Sequence, residues 1–152
     1  MIHITENRSG VHEMLNRLDE NVKPLFGEMS PQQMVEHVIK TMGISNGNLS
    51  VPLLNDPVRA EKQKRIMIYT ERPFPKGMVA PIVDKKQYVL IHENLEEAKQ
   101  ALKAELEKFD QWYEEDPNRQ AMHPILGNLN HDEWIKFHNK HFTHHFGQFG
   151  LI

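Results

Sequence analysis

The sequence has no cysteine among its 152 residues. This absence excludes disulfide bonds, thiolate metal sites and cysteine nucleophiles, and it is typical of cytoplasmic proteins. No stretch approaches the roughly 20 consecutive apolar residues that cross a bilayer. The N-terminal residues also lack the basic and then apolar pattern of an export signal. We therefore expect a cytoplasmic protein without a membrane partner.

An excess of basic residues is also missing. The chain has 18 lysine and arginine residues against 21 aspartate and glutamate residues, which gives a formal net charge of −3. Domains that bind nucleic acid neutralise phosphates with clustered basic side chains, so we expect no nucleic-acid partner. With 39% apolar and 26% charged residues, the composition is that of a folded protein, and we assign residues 1–152 to a single domain.

Apolar residues recur at the spacing of an α-helix in several stretches. Two segments are typical starts of helices. Ser30 is followed by Pro31 and then by Gln33, three residues after the cap, and Asn130 is followed by Glu133 at the same spacing. The pattern predicts an all-α fold, a four-helix bundle, with a long irregular connection between the second and third long helices. The long helices are expected at 9–21, 30–43, 94–115 and 130–147, with a shorter helix at 57–69 and the irregular connection at 69–92.

Histidine is the abundant residue that requires an explanation. Ten histidines are present, and five of them lie within fifteen residues near the C-terminus. Histidine is the commonest metal ligand and also titrates near neutral pH. At about 100° per residue, one face of the last helix carries an aromatic anchor together with several of these polar residues. The residues on that face are Trp134, His138, His141, His145 and Gln148.

His141 and His145 form the best-placed pair for chelation. Residues four apart on a helix have Cβ atoms about 5–6 Å apart, so their imidazoles can reach one ion. Catalytic zinc sites usually have three protein ligands and an open position, and His37, on the apolar face of the second helix, is the natural third ligand. The alternative is that these histidines are hydrogen-bonded residues of the core. The remaining histidines are expected on the surface (His3, His12 and His131) or in loops (His92 and His123).

Two segments resemble one protein family. The last helix reads H-x-x-H-H-x-x-Q-F-G from His141 onward, after His123-Pro-Ile-Leu-Gly-Asn-Leu129 and Glu133-Trp134. The second segment is Phe26-Gly-Glu-Met-Ser-Pro-Gln-Gln-Met-Val-Glu-His37. Both resemble an uncharacterised branch of the DinB/YfiT-like superfamily. The resemblance implies a four-helix bundle, often dimeric, with a nickel or zinc ion held by His37, His141 and His145. Better-known members read H-R-G-Q after the last ligand, whereas Phe146-Gly147-Gln148 follow here, so no particular substrate carries over.

Three functions remain open from the sequence. The first is a metal-dependent enzyme, a hydrolase or small-thiol transferase acting on a small molecule, with His138, His144 and Gln148 as candidate catalytic residues. The second is a non-enzymatic metal-binding or stress-response module. The third is a structural or interaction domain in which the histidines are satisfied by hydrogen bonds. The apolar residues on the helices also leave room for a homodimer. In the first case, the proline-rich segment 72–81, with Phe74 and Met78, is a candidate cover for the metal, or else an ordinary surface loop. Glu36 is expected to pair with a lysine or to cap the surface.

Overall fold

The computed structural model describes residues 1–77 and 89–152. These residues form five α-helices and one β-hairpin. In chain order the elements are α1 (Arg8–Asn16), α2 (Pro31–Ser45), α3 (Pro57–Tyr69), α4 (Leu95–Glu115), β1 (Gln120–His123), β2 (Gly127–Asn130) and α5 (His131–Gln148). No helix in the two described ranges is long and apolar enough to cross a membrane.

The prediction of an all-α four-helix bundle is wrong. The described residues form five helices, of which α3 is the shorter helix predicted at 57–69, and they add an antiparallel hairpin that was not predicted, in which Gln120 pairs with Asn130 and His123 with Gly127. Gly127 has a φ of 82°, a conformation that glycine adopts without a Cβ clash, and it closes the three-residue connection between the strands. The Trp134 indole donates to the carbonyl of Ala121 at 3.2 Å, which holds the hairpin against α5.

The two helices that carry the histidine pattern begin where the sequence predicts. Ser30 and Asn130 each accept a hydrogen bond from the backbone three residues on, and the side chains of Gln33 and Glu133 reach back to the capping residue. These reciprocal bonds satisfy amide groups that have no partner inside a helix. Because the starts of α2 and α5 are fixed in this way, the faces that their side chains present are also fixed.

The first helix is shorter than predicted. It ends at Asn16 rather than at residue 21. The carbonyl of Asn16 accepts from the Lys99 ammonium at 3.4 Å, and its side chain accepts from Lys103 at 2.8 Å. Two lysines of α4 therefore bind the end of α1, an arrangement between distant residues that the local apolar spacing does not encode.

The core lies between α2, α4 and α5. Helix α2 packs on α4 and contacts α5, which in turn contacts α3 and the hairpin. Helix α4 contributes an apolar stripe to this core, and all of its members are buried. It consists of Leu95, Ala98, Leu102, Leu106, Phe109 and Tyr113. Helix α5 adds the buried aromatic rings of Trp134, Phe137, Phe142 and Phe146. This packing directs one face of α5 toward α2.

Candidate metal centre

Three histidine side chains from α2 and α5 converge on one point. Nε2 of His141 lies 3.0 Å from Nε2 of His37 and 3.1 Å from Nε2 of His145. The potential ligand atoms of the three residues lie within 4.8 Å of one another, and the group can hold a metal ion. The residues that the structure brings together are therefore the three that helical spacing selects.

The cluster is enclosed on the side of α5 and more open on the side of α2. His141 and His145 are only 5% and 6% exposed, respectively, whereas His37 is partly exposed. His37 is therefore the most exposed of the three side chains.

Burial keeps the three imidazoles neutral. Desolvation lowers the pKa of His37 to about 4 and that of His145 to about 3, and it places the pKa of His141 well below its ordinary value. Neighbouring positive groups, including Lys40 beside His37, lower these pKa values further. A neutral imidazole is the form that binds a metal ion. All three ligands are therefore ready to bind at neutral pH.

Hydrogen bonds with Gln148 fix the proton of His145. The Gln148 amide nitrogen donates to the carbonyl of Phe26 at 2.8 Å, so the amide oxygen faces Nδ1 of His145, at 3.0 Å. An amide oxygen only accepts, and a neutral imidazole carries one proton, so that proton is on Nδ1 of His145. Nε2 of His145 therefore presents a lone pair to the cluster.

The two short contacts in the cluster cannot both be ordinary hydrogen bonds. Since Nε2 of His145 has no proton, its contact with His141 requires a proton on Nε2 of His141. That nitrogen then has no lone pair with which to accept a hydrogen bond from His37. A divalent cation placed between three lone pairs removes this conflict, because each imidazole can then donate electrons to the ion. The donor set therefore fits a metal ion better than it fits a network of protons.

A turn before α2 sets the position of Gln148. Gly27 has a φ of 78°, and a Cβ atom at this residue would lie 2.4 Å from the Gln148 amide nitrogen. The amide of Leu25 also donates to the Gln148 carbonyl at 2.8 Å. Gln148, a candidate catalytic residue from the sequence, thus contacts His145 and holds the His145 ring in one orientation. Gly27 is a positioning residue that the sequence pattern did not single out.

The Gly27→Ala variant is expected to bind zinc about 10- to 100-fold more weakly than the wild type, which is the usual effect of losing a partner of a ligand. The added methyl group displaces the Gln148 amide and releases His145. Competition with a chromophoric chelator measures the affinity. Gly127→Ala is the matched control, since Gly127 has a φ of 82° but open space around its Cβ position. Equal zinc affinities in the two variants would contradict the positioning role.

His138 lies in the core and contacts Ser45 instead of the cluster. Its Nε2 is 2.8 Å from the Ser45 hydroxyl oxygen, and the ring is fully buried. Trp134 and Phe109 each lie with ring centroids 5.4 Å from the His138 ring. Burial lowers the pKa of His138 to about 3. The structure therefore gives His138 no direct contact with the cluster and no exposed surface.

His144 and Phe74 lie at the rim of the cluster. The His144 ring is 5.0 Å from that of His145, 5.4 Å from that of Phe26 and 6.3 Å from that of Phe74. Burial lowers the pKa of His144. Phe74 is 7% exposed, and its ring centroid is 6.2 Å from that of His141. Within segment 72–81, Phe74 therefore contacts the site, while residues 78–81, including Met78, lie outside the described residues.

Glu36 has a different partner from the one expected. Its carboxylate accepts from the backbone amides of Ile91 and His92, and it lies 3.2 Å from Nδ1 of His92. Gln32 donates to the carbonyl of His92 at 2.7 Å. Among the residues that the structure describes, Glu36 therefore pairs with the backbone and His92 before α4 and not with a lysine. These contacts attach the residues before α4 to α2, one residue away from His37.

The histidines expected on the surface or in loops differ in their surroundings. The His3 side chain is 49% exposed, as predicted. His131 stacks on Tyr113 at 4.2 Å, and Nε2 of His12 is buried, so neither ring is freely solvated. Nδ1 of His123 accepts from two backbone amides, 3.1 and 3.2 Å away, at the hairpin connection. Burial lowers the pKa of His123 to about 3. None of these four histidines belongs to the cluster of His37, His141 and His145.

Comparison with known proteins gives one match. The model of a family described as "Protein of unknown function (DUF1569)" matches residues 3–150. No curated protein and no solved structure matches the chain.

Proposed function

We propose that this chain, which belongs to the family of unknown function DUF1569, is a metal-dependent enzyme. It binds one divalent metal ion through His37, His141 and His145 and uses that ion in catalysis. The observation that carries the proposal is the convergence of three neutral imidazoles whose close contacts their protons cannot satisfy. The ion is nickel or zinc, since both accept imidazole nitrogen.

Three neutral ligands favour catalysis by the ion. Because they would leave its charge uncompensated, an ion held by His37, His141 and His145 would supply Lewis acidity toward a water molecule, a thiolate or a carbonyl group. His37 is the most exposed of the three side chains, whereas His141 and His145 are enclosed. These features support a hydrolase or small-thiol transferase that acts on a small molecule.

The same ligand set supports a distant relation to the DinB/YfiT-like superfamily. The resemblance implies one ligand from the second helix and two from the last, and the structure has His37 on α2 and the other two histidines on α5. The relation is proposed for the metal site and not for a four-helix bundle. A homodimer and the absence of nucleic-acid and membrane partners stay predictions.

Elemental analysis of untagged protein tests the proposal. We expect about one zinc or nickel ion per chain, together with a rise in thermal stability when metal is added to the metal-free protein. Metal-free protein whose stability does not respond to either ion would contradict the proposal and favour core histidines. Screening of ester and small-thiol substrates with the loaded protein then tests the enzymatic part.

One observation favours the non-enzymatic alternative. Phe74 lies against His141 with little exposure and can close the site. Azide added to the cobalt-loaded protein separates the two functions, because azide changes the visible spectrum only if it reaches the ion. For an enzyme, we expect the wild type to respond. A response restricted to the Phe74→Ala variant would indicate a closed, non-enzymatic site.

A further inference from the structure

Two buried nitrogen atoms on α5 have no hydrogen-bond partner among residues 1–77 and 89–152. They are Nδ1 of His138 and Nδ1 of His141. The two residues are 0% and 5% exposed, so bulk solvent does not supply the missing bonds. A buried polar group without a partner destabilises the fold, and native proteins contain few of them. A shared explanation for both atoms is therefore needed.

The proton of His138 is fixed by Ser45. The Ser45 hydroxyl donates to the carbonyl of Met42 at 2.7 Å. Its single proton is used in that bond, so its oxygen accepts from Nε2 of His138, which lies 2.8 Å away. Nδ1 of His138 is therefore a lone pair that can only accept.

The ring nitrogen of His141 that carries the proton depends on whether a metal ion is bound. In the metal-free cluster, the contact with the lone pair on His145 requires the proton on Nε2 of His141. Nδ1 of His141 is then also a lone pair, and two lone pairs cannot bond to each other. When an ion occupies Nε2, the proton of the neutral ring is on Nδ1, which becomes a donor.

We propose that metal binding creates a hydrogen-bonded link from Nδ1–H of His141 to Nδ1 of His138, directly or through one buried water. The inference rests on the proposed metal site. Residues three apart on a helix are neighbours, with Cβ atoms about 5–6 Å apart. A buried water is stable where polar groups such as these two nitrogens can bind it. His138 is then a positioning residue that acts on the ion through His141.

The link attaches a metal ligand to the core. It continues from His138 to the Ser45 hydroxyl and the Met42 carbonyl, while the Tyr113 hydroxyl donates to the Ser45 carbonyl at 2.9 Å. A histidine that binds a metal usually donates its other N–H to such a partner. Gln148 accepts the Nδ1 proton of His145 in this way, and His138 would accept the Nδ1 proton of His141.

Nitrogen NMR of the ¹⁵N-histidine-labelled wild type tests the link directly. On addition of zinc, we expect the proton of His141 to move from Nε2 to Nδ1. We also expect the Nδ1 resonance of His138 to shift as that atom begins to accept a hydrogen bond. A His138 resonance that zinc leaves unchanged, while the His141 proton moves, would overturn the inference and leave the metal site intact. No change at any of the three ligand residues would instead overturn the proposed metal site.

Metal affinity provides a second readout. The His138→Phe variant keeps an aromatic ring in the core but removes the acceptor, and we expect about 10- to 100-fold weaker zinc binding. Phe142→Leu is the matched control, since Phe142 is fully buried on the same helix and lies outside the link. The Ser45→Ala variant removes the acceptor that holds the proton on Nε2 of His138, so it should also weaken zinc binding. Affinities of His138→Phe and Phe142→Leu within about two-fold of each other, a difference of roughly 0.4 kcal/mol, would count against the link.

Discussion

Replacing His141 with alanine is expected to abolish metal binding. Nε2 of His141 is the atom that contacts both other ligands, at 3.0 and 3.1 Å, so its removal leaves two nitrogens from different helices without the central donor. The metal content should fall from about one ion per chain to a trace. At a zinc concentration 100-fold above the dissociation constant, the wild type gains about 2.7 kcal/mol in free energy of unfolding, and the variant should gain none.

The His144→Ala variant is the matched control for this experiment. His144 lies on the same helix, and its ring is 5.0 Å from that of His145, but it does not belong to the ligand cluster. We expect the control to keep its metal. Chemical unfolding with and without zinc, and elemental analysis of each protein, give the two measurements. Zinc stabilisation that survives in His141→Ala would contradict the three-histidine site.

Acid is expected to destabilise the metal-free protein strongly. His123 and His138, neither of which is a proposed ligand, have pKa values lowered by burial from 6.5 to about 3. Above pH 6.5 both residues are neutral in the folded and unfolded chains, and the full stability is present. As the pH falls from 6.5 toward about 3, the unfolded chain takes up protons that the folded chain excludes. Each residue then lowers the free energy of unfolding by about 1.4 kcal/mol per pH unit, or about 3 kcal/mol per unit for the pair.

Urea unfolding of the metal-free protein at about pH 7.5 and at about pH 5 measures this effect. The neutral ligand histidines add to the loss in the same direction. The His3→Gln variant is the control, because it removes an exposed histidine and leaves both buried rings in place. Equal free energies of unfolding at the two pH values would show that the buried histidines do not titrate as their surroundings require.

Helical periodicity predicted the ligand set because the relevant information is local. The four-residue spacing of His141 and His145 fixes their common direction on α5, and the capping boxes fix where α2 and α5 begin. His37 was predicted because it lies on the apolar face of α2. Once α2 and α5 pack through their apolar faces, the three imidazoles meet.

The features that the sequence did not predict depend on contacts between distant residues. Gly27 and Gln148 approach across the fold, and nothing near either residue indicates the contact. The hairpin has strands of only four residues each, which is too short for a clear alternation of apolar and polar side chains. The shorter α1 likewise depends on lysines of α4. In each case the local pattern is weak and the tertiary partner decides the structure.

The wide separation of the ligands along the chain has a consequence for biosynthesis. His37 and His141 are 104 residues apart, so a ribosome produces the first ligand well before the other two. During that interval an ion can meet only one of its three nitrogens, and a single imidazole holds it weakly. Contacts between residues so far apart in sequence also form late in folding. Metal acquisition should therefore follow release of the α5 segment from the ribosome, and metal-free chains should be the species that cellular quality control encounters first.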